Sequence, residues 1–232
     1  MNRLCATFLE GASVILEFGG SVRLLTNPRF KEKSKTDDSL IDRLSRLTGL
    51  VITAFEPGQA DLSAPWSKTV LEAPVVVPRG FVWQAELAGF STCHELAAGE
   101  SVGLGPIRLT ATPAAPADGR FSAIIEAFGF TVFFAGETLF EPLLGAVPKS
   151  FPKIDLAFLP VGGPAFSSSS RPKTLMSAQE AAGLCAVLRP RTAIPILWEA
   201  DPTSPAAFIT AAKIFAPATK IKILKYGESV CL

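Results

Sequence analysis

Histidine is almost missing from this chain: among 232 residues only His94 carries an imidazole. Sites that need several nitrogen ligands are therefore excluded, as is a Ser–His or Cys–His nucleophile pair anywhere but beside residue 94. An excess of one charge is lacking too. The 22 basic and 21 acidic side chains leave a net charge of +1 and form no blocks, so neither nucleic acid nor an anionic membrane is an expected partner. No run approaches the roughly 20 consecutive apolar residues of a membrane-spanning helix. The apolar opening, MNRLCATFLEGASVILEF, is interrupted by Glu10 and Glu17 and is followed by no small-residue cleavage site. It reads as strands of the mature fold rather than as a signal peptide. The four cysteines, Cys5, Cys93, Cys185 and Cys231, form no CxxC pair and each sits in an apolar setting. Four reduced thiols in a cytoplasmic protein is the expectation.

What is present is a core. Hydrophobic residues make up 48% of the chain and charged residues 19%, the balance of a packed globular protein. Residues 12–18 (ASVILEF) and 22–26 (VRLLT) are joined by Gly19-Gly20 and predict a β-hairpin. Leu40, Ile41, Leu44 and Leu47 recur at helical spacing, predicting a short amphipathic helix over 39–47. Strands are expected at 50–54, 75–77 and 101–110, with a short helix at 81–87. A second hairpin spans 122–128 and 131–135. After the apolar strand at 154–160, Ser177 and Glu180 form an S-x-x-E capping box that opens a helix running to about Leu188. A strand at 193–197, a helix at 205–215 and a strand at 221–224 complete the series. The stretches Ser13-Val-Ile-Leu-Glu17 and Ser122-Ala-Ile-Ile-Glu126 are alike, each followed by glycine and a second apolar strand. One domain over 1–232 is expected, built from two related halves of about 1–110 and 111–232, with two sheets packed together and helices outside.

This order of segments resembles the metallo-β-lactamase fold superfamily, especially the simple hydrolase branch that includes the L-ascorbate-6-phosphate lactonases. FLEGASVILEFGGSVRLLTNP is similar to that branch's opening, where a Gly-His-Ala-Ser turn precedes the first hairpin and Asp-Pro closes it. FFAGETLF resembles its Gly-Asp-Thr strand end. IDLAFLPVGG followed by SAQEAAGLCAVLRPRTAIPILW resembles the late strand, helix and final strand. The resemblance covers nearly the whole chain and implies an α/β (α+β) four-layer αββα sandwich. It also implies one or two zinc ions at the strand ends, held by an H-x-H-x-D-H loop, a later loop histidine, the aspartate of Gly-Asp-Thr and a final histidine. In that chemistry the metal lowers the pKa of a bound water until hydroxide is available near neutrality.

Read position by position, the implied ligands are replaced. The loop after the strand at 50–54 reads Phe55-Glu56-Pro57-Gly58-Gln59-Ala60, with Phe55, Pro57 and Ala60 in histidine positions and Gln59 in that of the aspartate. Pro116 stands for the later histidine, Glu137 for the aspartate of Gly-Asp-Thr, and Leu197 for the last histidine. The early Gly-His turn is Glu10-Gly11, and Asn27-Pro28 replaces Asp-Pro. None of these apolar side chains can coordinate a metal, so the ordinary zinc site is not expected and no cofactor is assigned. The alternative is a divalent cation held weakly by carboxylates such as Glu56 and Glu137, with Asp61 or Glu199.

The remaining candidates weigh less. His94 reads as a structural or surface residue within a sheet connection. Ser167–Ser170 lacks a base, and Gly162-Gly163 suits a turn. Trp66, Trp83 and Trp198 suit a core, although Trp198 follows Leu197 directly and joins Gly11, Asn27, Asp61 and Glu199 as a pocket candidate. Two readings follow. The first is a non-hydrolytic relative whose cleft binds a small molecule or a protein; exposed edge strands leave homo-oligomers open. The second is a hydrolase of an ester, lactone or phosphate-bearing substrate with a rewired site in which Glu56 and Glu137 act as acid and base.

Overall fold

The structure is a computed structural model that describes residues 3–29, 44, 46–55, 67–116, 118–164 and 174–232. Fourteen described strands form two seven-stranded sheets. The first is ordered β14-β1-β2-β3-β4-β5-β6, from β1 (Leu4–Glu10), β2 (Ser13–Phe18), β3 (Val22–Thr26), β4 (Gly49–Val51), β5 (Val75–Pro78), β6 (Cys93–Leu96) and β14 (Ser229–Cys231). The second is ordered β13-β12-β11-β10-β9-β8-β7, from β7 (Ser101–Leu104), β8 (Ile107–Thr112), β9 (Ser122–Ala127), β10 (Phe130–Phe134), β11 (Leu156–Pro160), β12 (Thr192–Ile196) and β13 (Lys220–Ile221). The sheets repeat one pattern. Each has three antiparallel pairings followed by three parallel ones, so β2-β3-β4-β5-β6 corresponds to β9-β10-β11-β12-β13. The alike stretches 13–17 and 122–126 lie on the corresponding strands β2 and β9.

Side-chain alternation explains the layers. In β2, Val14, Leu16 and Phe18 enter the core between the sheets while Ile15 faces the other way. In β11, Leu156 and Phe158 point inward and Ala157 and Leu159 outward. Strands apolar on both faces must be covered twice. Helices α1 (Ser67–Leu71) and α2 (Val82–Leu87) supply Val70 and Ala85 to the outer layer of the first sheet. Helices α4 (Ala178–Leu188) and α5 (Ser204–Phe215), with α3 (Val147–Ser150), cover the second. The architecture is the expected αββα sandwich.

The capping box is formed: the Ser177 amide donates to Glu180 Oε2 at 2.8 Å and the Glu180 amide donates to Ser177 Oγ at 3.4 Å. Both hairpins and the two long helices lie where expected. Four readings need correction. The β stretch at 101–110 is the hairpin β7–β8, turning at Gly105. His94 lies in strand β6 rather than in a connection, with Val76 as its register partner. A terminal strand, β14, follows β13 and returns to the first sheet. Finally, the thiols are not all reduced, because Cys5 and Cys231 form a disulfide. They face each other across β1 and β14, beside the pair Leu4–Leu232 that exchanges backbone hydrogen bonds. That non-hydrogen-bonded position puts the two side chains on one face of the sheet, where they can meet. The expectation of a cytoplasmic location loses its cysteine argument, since disulfides persist in oxidising compartments. Of the two free cysteines, Cys185 is buried in α4, where burial pushes its thiol up to about 12. The expected helix over 39–47 lies largely outside the described residues.

Candidate functional site

The cleft lies where β3 and β4 of one sheet and β10, β11 and β12 of the other end. Its floor is held by the residues that follow these strands. Asn27, buried, uses both ends of its amide: Thr53 N donates to Oδ1 at 2.8 Å, and Nδ2 donates to Thr53 Oγ1 at 2.9 Å. An aspartate could only accept here, so the amide ties the end of β3 to the segment after β4 in a way a carboxylate would not. Gly136 packs directly on Thr53, and any Cβ at Gly136 would collide with Thr53 Oγ1. Thr138 is buried and accepts from Ala115 N at 2.9 Å, while Leu139 N donates to Ala115 O at 3.0 Å. The proline-alanine loop is thereby fixed to the Gly-Glu-Thr end of β10; its Ala115–Pro116 bond is cis.

On the far side, Leu197 N donates to Gly11 O at 3.1 Å and Gly11 N donates to Glu199 Oε1 at 2.7 Å. The residue after β12 is thus pinned to the turn before β2. Leu197 holds a φ of 55°, a left-handed conformation seldom adopted by leucine. Its carbonyl leaves no room for a Cβ on Gly162. The early glycine and the late leucine, 186 positions apart in number, therefore meet as one crossing.

Glu137, Asn27 and Leu197 share a cavity of about 10 Å³ with Ala12 and Arg29. A second, of about 40 Å³, is lined by Ala54, Phe55, Pro78, Phe81, Asp118, Gly119 and Arg120. Spaces of this size hold one or two waters. Phe55 stacks on Phe81, ring centroids 6.0 Å apart and 5° from parallel, so this expected ligand position serves packing. Pro116 is exposed. Trp198 does not line either cavity; it packs on the outer core of the second sheet and against Phe8, centroids 6.4 Å apart. Glu56, Pro57, Gln59, Ala60, Asp61, Trp66 and Ser167–Ser170 lie outside the described residues.

Two residues that no sequence signal singled out dominate the electrostatics. The Arg120 guanidinium, 5% exposed, forks onto Asp118 through Nε and Nη2, each 2.6 Å from a carboxylate oxygen. Its Nη1 lies 3.8 Å from Glu137 Oε2 and donates to Glu137 O at 3.5 Å. The hydrogen bonds from Arg120 hold the Asp118 carboxyl below its usual range. Arg29, half-buried, lies 3.8 Å from the position a Gly11 Cβ would take and has no hydrogen-bond partner among the described residues. Asking what neutralises Glu137 would have pointed to Arg120, two residues after the Ala-Asp of PAAPADGRF.

As far as they are described, the expected ligand positions Phe55, Pro116, Glu137 and Leu197 offer zinc one carboxylate and no imidazole, and the one imidazole, His94, lies on the edge strand β6. Among the described residues no three His, Cys, Asp or Glu side chains converge as a metal group.

Comparison with solved structures places the fold. The chain superposes on the metallo hydrolase Igni18 of the hyperthermophilic archaeon Ignicoccus hospitalis with a TM-score of 0.80, covering 99% of this chain and 98% of that one at 20% identity. It matches the metallo-β-lactamase fold protein YhfI of Bacillus subtilis with a TM-score of 0.78, over 99% and 100% of the chains at 11% identity. The chain has the metallo-β-lactamase fold. An isothiocyanate hydrolase from Delia radicum gut bacteria shares it with a TM-score of 0.76, over 98% of each chain at 14% identity. In sequence, 119 residues are 29% identical to a UPF0173 metal-dependent hydrolase of Pyrococcus furiosus, so the match spans about half the length of that relative, 49%, and 49% of this chain. No family model matches the sequence. Of these similar proteins, Igni18 and the UPF0173 protein are named as metal hydrolases, whereas the expected ligand positions described here carry Phe, Pro, Leu and an arginine-paired glutamate.

Proposed function

We propose that this chain is a non-hydrolytic member of the metallo-β-lactamase fold that keeps the cleft as a binding site for a small molecule or a protein partner. One observation carries the reading: the only carboxylate placed at a described ligand position, Glu137, is faced by the buried guanidinium of Arg120, with no imidazole beside it. A permanently charged guanidinium supplies positive charge at the strand ends but offers neither a Lewis acid nor a bound water of lowered pKa. Its rigid fork onto Asp118 stiffens the rim.

Arg29 lines the same cavity and adds positive charge there, which favours a ligand bearing a carboxylate or phosphate. The second reading, a hydrolase using carboxylates alone, requires Glu137 to act as acid or base. Arg120 argues against it, since its guanidinium already engages the Glu137 carboxylate at 3.8 Å and the Glu137 backbone carbonyl at 3.5 Å. The test is turnover of generic esters, lactones and phosphodiesters by purified protein, with and without added zinc or manganese. The expected result is no metal-stimulated turnover above buffer. Metal-stimulated turnover that disappears in Glu137→Ala would establish the hydrolase reading instead.

A further inference from the structure

At the opposite end of β1 from Gly11, the disulfide between Cys5 and Cys231 borders an open cavity of about 260 Å³ lined by Arg3, Cys5, Glu17 and Gly20. Two observations there are independent of each other. Cys5, not Cys231, lines the cavity. Arg3, meanwhile, donates from Nη2 to Cys231 Sγ at 3.0 Å. Cys231 is the more exposed of the two, so accessibility alone does not choose the sulfur attacked; the Arg3 contact with Cys231 and the cavity on the Cys5 side together select Cys5 for attack and Cys231 as the leaving group.

We propose that Cys5–Cys231 is a thiol–disulfide exchange site for a low-molecular-weight thiol that carries carboxylates. The incoming thiol loses its proton to solvent, and its thiolate attacks Cys5 Sγ from the cavity. The Cys5–Cys231 bond breaks as the new sulfur–sulfur bond forms, and the electron pair leaves on Cys231 Sγ. Arg3 stabilises that thiolate, making Cys231 the better leaving group. A second thiolate then attacks the small-molecule sulfur of the mixed disulfide and expels Cys5 as thiolate. In sum, two small thiols are oxidised to their disulfide by two electrons and the protein disulfide is reduced by the same two. The reverse, with the oxidised small disulfide as oxidant, restores the bond. Arg3 sets the class of ligand: Glu17 also lines the cavity, but its carboxylate is paired with Arg23 at 3.1 Å, so the exposed guanidinium at the rim draws an anionic thiol over a neutral one. The outcome bears on architecture: β14 is an edge strand of three residues, and without the cross-link it is held to β1 by backbone hydrogen bonds and the 2.7 Å contact of Thr7 Oγ1 with Ser229 Oγ.

The experiment uses the full chain, oxidised and freed of reductant, mixed with reduced glutathione and quenched at short times with an alkylating agent before peptide mass mapping. Glutathione on Cys5 with alkylated Cys231 is expected in at least about fivefold excess over the reverse adduct. Arg3→Gln, a change at an exposed residue, is expected to slow exchange about three- to tenfold and to shrink that excess. At equal thiolate concentration 2-mercaptoethanol should react more slowly than glutathione. Adducts split evenly or concentrated on Cys231, or a rate unchanged in Arg3→Gln, would overturn the mechanism. Equal rates for the neutral and the anionic thiol would overturn the ligand class. Two free thiols after equilibration with oxidised glutathione would remove the site altogether.

Discussion

Replacing Cys5 and Cys231 together by serine is expected to destabilise the protein by about 2–5 kcal/mol. The bond joins residues 226 positions apart, so it closes almost the whole chain into a loop and removes much of the freedom of the unfolded ensemble. For a domain of this size each kcal/mol moves the melting temperature by roughly 2–4 °C, so a fall of about 4–20 °C is expected. Thermal melts of the wild type with and without reductant should show the same fall, and melts of the double serine variant should not respond to reductant. The control separates the cross-link from any effect of the serines. It also measures the strength of the tether on β14 that the exchange chemistry would release.

Arg120→Met should have the second largest effect, about 1–3 kcal/mol by urea denaturation. The side chain is 5% exposed and bridges two carboxylates, yet the Asp118 carboxylate is 43% exposed, so solvent takes over part of the charge when the guanidinium goes. Acid makes the assignment specific. Asp118 titrates lower in the folded chain than in the unfolded one, so its contribution is complete above the ordinary carboxylate range and is lost as pH falls through the folded value. Between about pH 4 and pH 2 the wild type should therefore lose its advantage over Arg120→Met. A difference that stays constant down to pH 2 would assign Arg120 to packing instead.

Much of the sandwich was legible because its signals are local. The hairpins of β2–β3 and β9–β10 show alternation around a glycine turn, the parallel strand β11 is a continuous apolar run, and α4 opens on a capping box. The missing histidines were legible too, since one imidazole in 232 residues cannot build a multi-histidine site whatever the alignment. The unread features are long-range or polar. Cys5 and Cys231 are at opposite ends of the chain, and nothing in either neighbourhood reveals the register that sets them opposite each other. β14 is three residues long with a polar neighbourhood, too short for a pattern to emerge. Arg120 stands near Glu137 only because the loop before β9 folds over the end of β10, and charge pairs leave no periodicity in sequence. Trp198 was expected at the cleft because it adjoins Leu197, but β12 ends at Ile196 and the left-handed Leu197 breaks the alternation, so Leu197 packs on the inner core and Trp198 on the outer layer.

The central claim is that strand ends bearing Phe55, Pro116, Leu197 and an arginine-paired Glu137 do not hold zinc. The most direct measurement is elemental analysis of the full chain after equilibration with a slight excess of zinc and removal of the unbound metal, in wild type and Glu137→Ala. Well under one zinc per chain, with no difference between the two proteins, is the predicted result. One or more zinc ions per wild-type chain, lost in Glu137→Ala, would contradict it.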